Sequence, residues 1–556
     1  MKYKKERQSV YDRIIELYRT SLTAYSETRE RLEKNMRQYL GSYEIDNSAE
    51  PATTVRNITY EVIESEILPD IPYPKADPEF YTERREENAR LIERLCRSVR
   101  EKLPFEELND LDERYTYIYG GSVWYVEWDS GEAKDGVRGE VKVHCLSPLD
   151  FIPQPGVLEV NEMQYCFLRF TTSREELTAK YGVSEELATL AECEYGYTES
   201  AGENDAVTVI NALYRDKEGN ICKLVFSGDL ILSDIPTLYV RKVPVDSKSA
   251  DFRDTYTEIL PDDVANEWGG IRNVDYYIPQ EMPVIIRRNT RISPSLFGLS
   301  DCERVRPQQQ AINKVESRIL KKLLRAAVTP VMPEDAGVTL GNSVFGEVIR
   351  MRPGESLENY GKIDTTPDIS QDIAEADRLY DHAKRVLGIS DALQGTDTTQ
   401  AESGYARNLK ITRAESRLET KKRMKYHAYS NLYKMIFRHY LAFSDEPRNL
   451  SYKDPCGTVH CACFNRYAFL ESDGDGCHYS DAYLFSVDLN TESDYTREAL
   501  WERNLKNLES GTLGDRNSPT ALLRYWQAQE KAHYPFAGDN VEYFKSLIAI
   551  ATESEA

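Results

Sequence analysis

Residues 300–330 read SDCERVRPQQQAINKVESRILKKLLRAAVTP, and the interpretation of this stretch decides how the rest of the chain is organised. Ile312, Val315, Ile319, Leu323 and Ala326 recur at three- and four-residue steps, the period that stacks side chains on one face of an α-helix. Ser300 stands where a helix N-cap belongs, because a short hydroxyl there can accept from an amide of the first turn, and the helix must stop before Pro330. Lys314, Arg318, Lys321 and Arg325 follow the same spacing, so residues 300–327 are expected to form a helix with one apolar and one basic stripe.

Downstream, residues 328–366 are punctuated by Gly and Pro and read as a small β-containing insert. A second helical pattern follows over 367–388. Residues 389–403 break it with a polar, small-residue run in which Gln394, Gly395, Thr396, Asp397, Thr398, Thr399 and Gln400 offer neither strong charge nor a large apolar side chain. Residues 404–442 then support one helix, which at 1.5 Å per residue is on the order of 60 Å long. Its first half has only sparse apolar residues such as Leu409, Ile411 and Leu418, while Arg407, Lys410, Arg413, Arg417 and Lys421 are basic. Burial within one subunit would not account for such a segment; packing between subunits or against phosphate would.

Upstream, residues 1–299 mix helices with antiparallel hairpins. Val10, Ile14, Leu17, Tyr18, Leu22 and Tyr25 give the first forty residues a helical stripe, and a charged helix is expected from Glu79 to Lys102, ended by Pro104. Between them, TVRNITYEVIESEIL is compatible with helix or strand, and the prolines of PDIPYPKADP enforce extended chain. From Gly120 the period changes to two, and the Gly- and Asp-rich centre of GGSVWYVEWDSGEAKDGVRGEVKVHCL marks a hairpin; residues 207–232 repeat the scheme. The fold class is therefore α+β.

The whole chain carries a formal net charge of −23, so any phosphate-binding footprint must be local. Residues 301–325 hold seven Lys or Arg against three acids, and residues 401–440 hold ten against three, which places the basic charge in these helices. No apolar run reaches the roughly 18 residues of a membrane helix, and the basic start lacks the apolar stretch of a signal peptide, so a cytosolic protein with reduced cysteines is expected.

The order of these parts resembles the portal proteins, or head-tail connectors, of tailed bacteriophages. The likeness is carried by SPSLFGLSDCERVRPQQQAINKVESRILKKLLRAAVTPVM, with its Gly-x-Ser-Asp start and Gln/Asn-bearing QQQAINKVES, and by LGISDALQGTDTTQAESGYARNLK. It implies a portal-like fold: a mixed α/β wing over 1–299, a two-helix stem at 300–327 and 367–388, a clip at 328–366, a tunnel loop at 389–403, a long wing helix at 404–442, and a C-terminal wing and crown region at 443–556. It further implies a dodecameric ring at one capsid vertex of the virion, assembled in the host cytoplasm, which conducts double-stranded DNA without sequence preference during packaging, retention and ejection. Its partners would be the terminase motor, the major capsid protein and a head-tail adaptor, with no membrane and no cofactor. The resemblance places Gln394 to Gln400 against DNA; the Lys314, Arg318, Lys321 and Arg325 stripe would meet either DNA or a neighbouring subunit.

A second constellation, CGTVHCACFNRYAFLESDGDGCHYS, brings Cys456, His460, Cys461, Cys463, Cys477 and His478 close in sequence. Zinc takes Cys and His at spacings of two to four, which Cys456 with His460 satisfies, but the Cys461-x-Cys463 pair is tight for joint ligation, so a hairpin around DGDG with reduced thiols is the preferred reading. The alternative function is a cytosolic metal-dependent hydrolase or nuclease using these residues or scattered acids; Asp70 and Lys75 lie near each other but in a proline-stiffened segment. The chain has no G-x-x-x-x-G-K-[ST] phosphate loop, no G-x-S-x-G elbow and no H-E-x-x-H helix, so no enzyme is expected.

Overall fold

The computed structural model describes residues 2–42, 56–134, 137–191, 206–239, 241–244, 252–268, 270–292, 295–324, 328–331, 339–341, 348–350, 361–364, 368–389, 404–453, 459–472, 477–488, 497–531, 534 and 537–555. Helix α1 (Lys2–Tyr39) lays its expected stripe inward: Ile14, Tyr18 and Tyr25 are buried, with Val10, Leu17 and Leu22 packed beside them. The ambiguous segment after it forms the short helix α2 (Ile58–Glu64), capped by the Asn57 side chain accepting from the Tyr60 amide. The proline-rich run is extended as expected, and Tyr73–Pro78 pairs antiparallel with Tyr483–Asp488. This pairing makes the start of the C-terminal region share a core with the N-terminal one.

Helix α3 (Glu83–Lys102) begins at Thr82, whose hydroxyl accepts from the Arg85 amide. Helix α4 (Phe105–Tyr119) has no counterpart in the sequence reading. It ends at Gly120, whose φ of 88° is left-handed and whose Cβ, if it had one, would stand 2.2 Å from the Gly298 carbonyl oxygen. The chain then enters the expected hairpin: Gly121–Lys134 pairs with Val137–Leu146 on one side and with Val284–Arg288 on the other. A five-stranded antiparallel sheet follows in the order Phe151–Pro153, Tyr165–Ser173, Ala206–Arg215, Ile221–Ser227, Leu230–Ile235. Small helices α5 (Arg174–Tyr181), α6 (Glu185–Ala188) and α7 (Asp262–Glu267) lie in the connections.

Helix α8 (Asp301–Leu324), helix α9 (Ser370–Leu387) and helix α10 (Gly404–Phe443) are the three long helices expected beyond residue 300. Between α8 and α9, Val328–Val331 pairs with Gly361–Asp364 and Thr339–Gly341 pairs with Val348–Arg350, so the insert is two nested antiparallel ladders. The C-terminal helices α11 (Arg497–Glu509), α12 (Pro519–Lys531) and α13 (Ala537–Glu555) follow.

Two large apolar cores result. One gathers α1, the end of α4 and the five-stranded sheet around Tyr18, Phe151, Phe167 and Phe226. The other is built on the second half of α10, where Tyr429, Leu432, Tyr433, Ile436, Phe437, Tyr440 and Leu441 are buried against α3, Trp124, Phe464 and Phe469. A smaller cluster of Val305, Ile312, Ala383 and Leu387 holds α8 to α9, together with Ile58 and Val62 of α2.

Candidate nucleic-acid interface

Helix α8 starts as the sequence requires. The Ser300 hydroxyl accepts from the Cys302 amide at 3.1 Å and donates to the Ile118 carbonyl at 2.5 Å, which ties the start of α8 to the end of α4. Buried Gln309 accepts from the Thr59 amide at 3.0 Å and donates to the Arg56 carbonyl at 2.8 Å, so this one glutamine of the run docks α8 on the start of α2. The apolar stripe divides along its length: Ile312 and Val315 are buried, Ile319 is half-buried, and Leu323 is 49 % exposed. Within one chain the stripe is covered only at its near end, where α9 and α2 pack against it; Ala326 lies outside the described residues.

On the other face, Lys314 is exposed and Lys321 half-buried, and neither has an intramolecular partner among the described residues. Arg318 behaves differently. It pairs with Asp372 of α9 at 2.6 Å, and Lys322 reaches the second oxygen of the same carboxylate at 2.5 Å. The Lys322 ammonium, helped by Arg318, holds the Asp372 carboxyl below the usual carboxylate range. The basic stripe is thus partly spent on an interhelical bridge whose acid the spacing argument did not single out. Arg325 lies outside the described residues.

The loop of Gln394, Gly395, Thr396, Asp397, Thr398, Thr399 and Gln400 also lies outside the described residues, as do the side chains of Arg407, Lys410, Arg413 and Arg417. Lys421 is described, and it corrects the sequence reading. Instead of offering its charge on an open helix face it is buried, with its ammonium 2.7 Å from Glu66 and 2.8 Å from Asp301. A lysine desolvated to this degree needs such partners, and they come from segments remote in sequence.

One turn further on, Lys425 is buried against Glu113 at 3.0 Å and donates to the Leu68 carbonyl at 2.9 Å. Arg287 donates to Glu113 at 2.7 Å and to Asp112, which also accepts from Ser122 and from the Trp124 indole at 2.9 Å. Buried ion pairs therefore tie α10 to the segment after α2, to α4 and to the start of α8. Their chemistry is structural, since every member already has a protein partner.

The late Cys/His segment forms two hairpins. Arg448–Lys453 pairs with Val459–Phe464, and Leu470–Ser472 pairs with Cys477–Tyr479 across residues 473–476, the expected hairpin around DGDG. Cys461 and Cys463 are exposed, Cys477 is buried, and the His460 ring stacks on Tyr452 with centroids 5.6 Å apart. Cys456 lies outside the described residues. Among the described residues no group of three or more His, Cys, Asp or Glu is placed to hold a metal ion, and no helix is long and apolar enough to cross a membrane.

No protein-family model and no curated protein matches the chain.

Proposed function

We propose that this chain is the subunit of a portal-like ring, a DNA conduit at a capsid vertex used in genome packaging, retention and ejection. The observation that supports this reading is the succession in one chain of the α8–α9 hairpin, the β ladders at its tip, the polar 389–403 segment and the 40-residue helix α10. In this reading α8 and α9 are the stem, the ladders the clip, the polar segment the tunnel loop, and Lys314 and Lys321, which have no partner among the described residues, face either duplex DNA or a second copy. The exposed Leu323 and Ile373 at the far end of the hairpin suit a contact between copies, since two large apolar side chains gain by leaving water. The motor, the capsid shell and a tail adaptor are the further partners the proposal assigns.

Purified full-length chain should assemble into closed rings seen in negative-stain images, with a native mass near twelve times the 63.9 kDa of one chain. Protein that stays monomeric across a wide range of concentration and salt would remove the basis for the reading.

A further inference from the structure

The junction where α10 meets the start of α8 contains three ionisable side chains in a space that admits almost no water. The Glu66 and Asp301 side chains have no exposed surface, and Lys421 between them is 9 % exposed. Asp301 Oδ2 also accepts from Asn289 Nδ2 at 2.8 Å. Glu66 Oε1 and Asp301 Oδ1, by contrast, are buried with no hydrogen-bond partner among the described residues. One ammonium cannot neutralise two carboxylates, and an uncompensated buried charge is expensive.

Among the described residues, the other buried cations nearby are engaged elsewhere. Lys425 is taken by Glu113, and Arg287 by Glu113 and Asp112. Tyr117 of α4 places its ring 4.9 Å from the Lys421 ammonium without adding charge. Arg304, nearly one turn into α8, forms an ion pair with Asp301 Oδ1 at 3.6 Å from a position partly in solvent, where its charge is screened, and it does not reach Glu66. A proton on Glu66 relieves the repulsion between the two buried carboxylates and supplies a donor where the two orphaned oxygens have none.

We propose that Glu66 is protonated in the folded chain at neutral pH and that this proton keeps the Lys421 clasp between α8 and α10 closed, so that the joint loosens as the proton is lost. Burial first, and the neighbouring Asp301 carboxylate second, push the Glu66 carboxyl up to about 8. In the unfolded or opened segment it returns to its ordinary value near 4.5. Because the closed state holds the proton more tightly, the clasp is fully stable below about 4.5 and is progressively weakened as pH rises toward 8, levelling off above it.

Hydrogen exchange of full-length protein, normalised for intrinsic rates and followed over 301–306 and 419–425, tests this. In the wild type, protection of these amides should fall by up to about tenfold per pH unit between pH 6 and 8 and then level off. Glu66→Gln keeps an amide oxygen for Lys421 and should make protection independent of pH over this range. Asp301→Asn leaves Lys421 to neutralise Glu66 alone and should likewise hold protection to pH 9. A flat wild-type profile overturns the proposal, as does a profile that persists unchanged in whichever of the two variants folds.

Discussion

At the scale of single residues, the start of α8 shows how little latitude the sequence has where three segments meet. Gly298 donates to the Gly120 carbonyl at 2.8 Å, as does the Asn289 amide at 3.0 Å, and Leu299 donates to Thr290 at 2.9 Å. A Cβ on Gly298 would lie 2.6 Å from the Thr290 oxygen and 2.9 Å from that of Gly120, both of them backbone atoms that cannot swing aside. The Gly-x-Ser-Asp sequence is therefore explained by close backbone approach at the glycine, capping at the serine, and a buried ion pair at the aspartate. Gly298→Ala should lower the unfolding free energy by roughly 1–3 kcal/mol in chemical denaturation, the usual cost of forcing atoms into a packed site; an unchanged midpoint would mean that this crossing relaxes freely.

Buried charge at the same scale gives a sterner test of the network. Arg287 bridges Asp112 and Glu113, and both carboxylates are fully buried. Without Arg287 the buried Asp112 loses its counter-ion, while Glu113 keeps Lys425, so Arg287→Met should cost about 3–5 kcal/mol. A loss below about 1 kcal/mol, measured by denaturant titration, would show that water reaches the vacated site and solvates the acids.

At the scale of elements, what was legible in the sequence follows from where each element finds its partners. The stripe of α1, the Thr82-capped helix α3 and the hairpin after Gly120 could be read because their inner faces are apolar and their caps and turns are local. Helix α4 could not, because its inner face carries Asn109, Asp112, Glu113 and Thr116, all buried, in place of an apolar repeat. Its stability rests on Arg287 and Lys425, which lie far along the chain. Lys421 was misread for the same reason: spacing shows a basic residue on a helix, and nothing local announces Glu66 or Asp301. The pairing of Tyr73–Pro78 with Tyr483–Asp488 is equally beyond any local pattern.

The α8–α9 hairpin turns this distinction into an experiment. Ile312 is buried against α9 and α2, so Ile312→Asp should unfold this part of the chain by placing an unpaired charge in an apolar cluster. Leu323 is 49 % exposed, so Leu323→Asp should change the stability of the isolated chain by no more than about 0.5 kcal/mol. If that end of the hairpin packs against another copy, Leu323→Asp should nevertheless abolish assembly in native mass spectrometry. Normal assembly of this variant would place the contact between copies elsewhere.

At the scale of the whole molecule, a chain with net charge −23 repels nucleic acid overall, so contact with DNA must be made by a restricted face in an otherwise unfavourable field. Lys314 and Lys321 offer such a face, since Arg318 is already engaged with Asp372. If they meet phosphate in the assembled protein, duplex binding should weaken as salt rises and should be indifferent to base sequence, because phosphate contacts carry no base information. Replacing both with Gln should then reduce the slope of log affinity against log salt by about 2 while leaving assembly intact. If they meet acids of a second copy instead, the same double variant should form fewer or weaker rings even without DNA, and the loss should be greatest at low salt, where ion pairs contribute most. Intact assembly together with an unchanged salt slope would assign these lysines to solvent, and would leave the segment outside the described residues and the first half of α10 to supply any contact with the duplex.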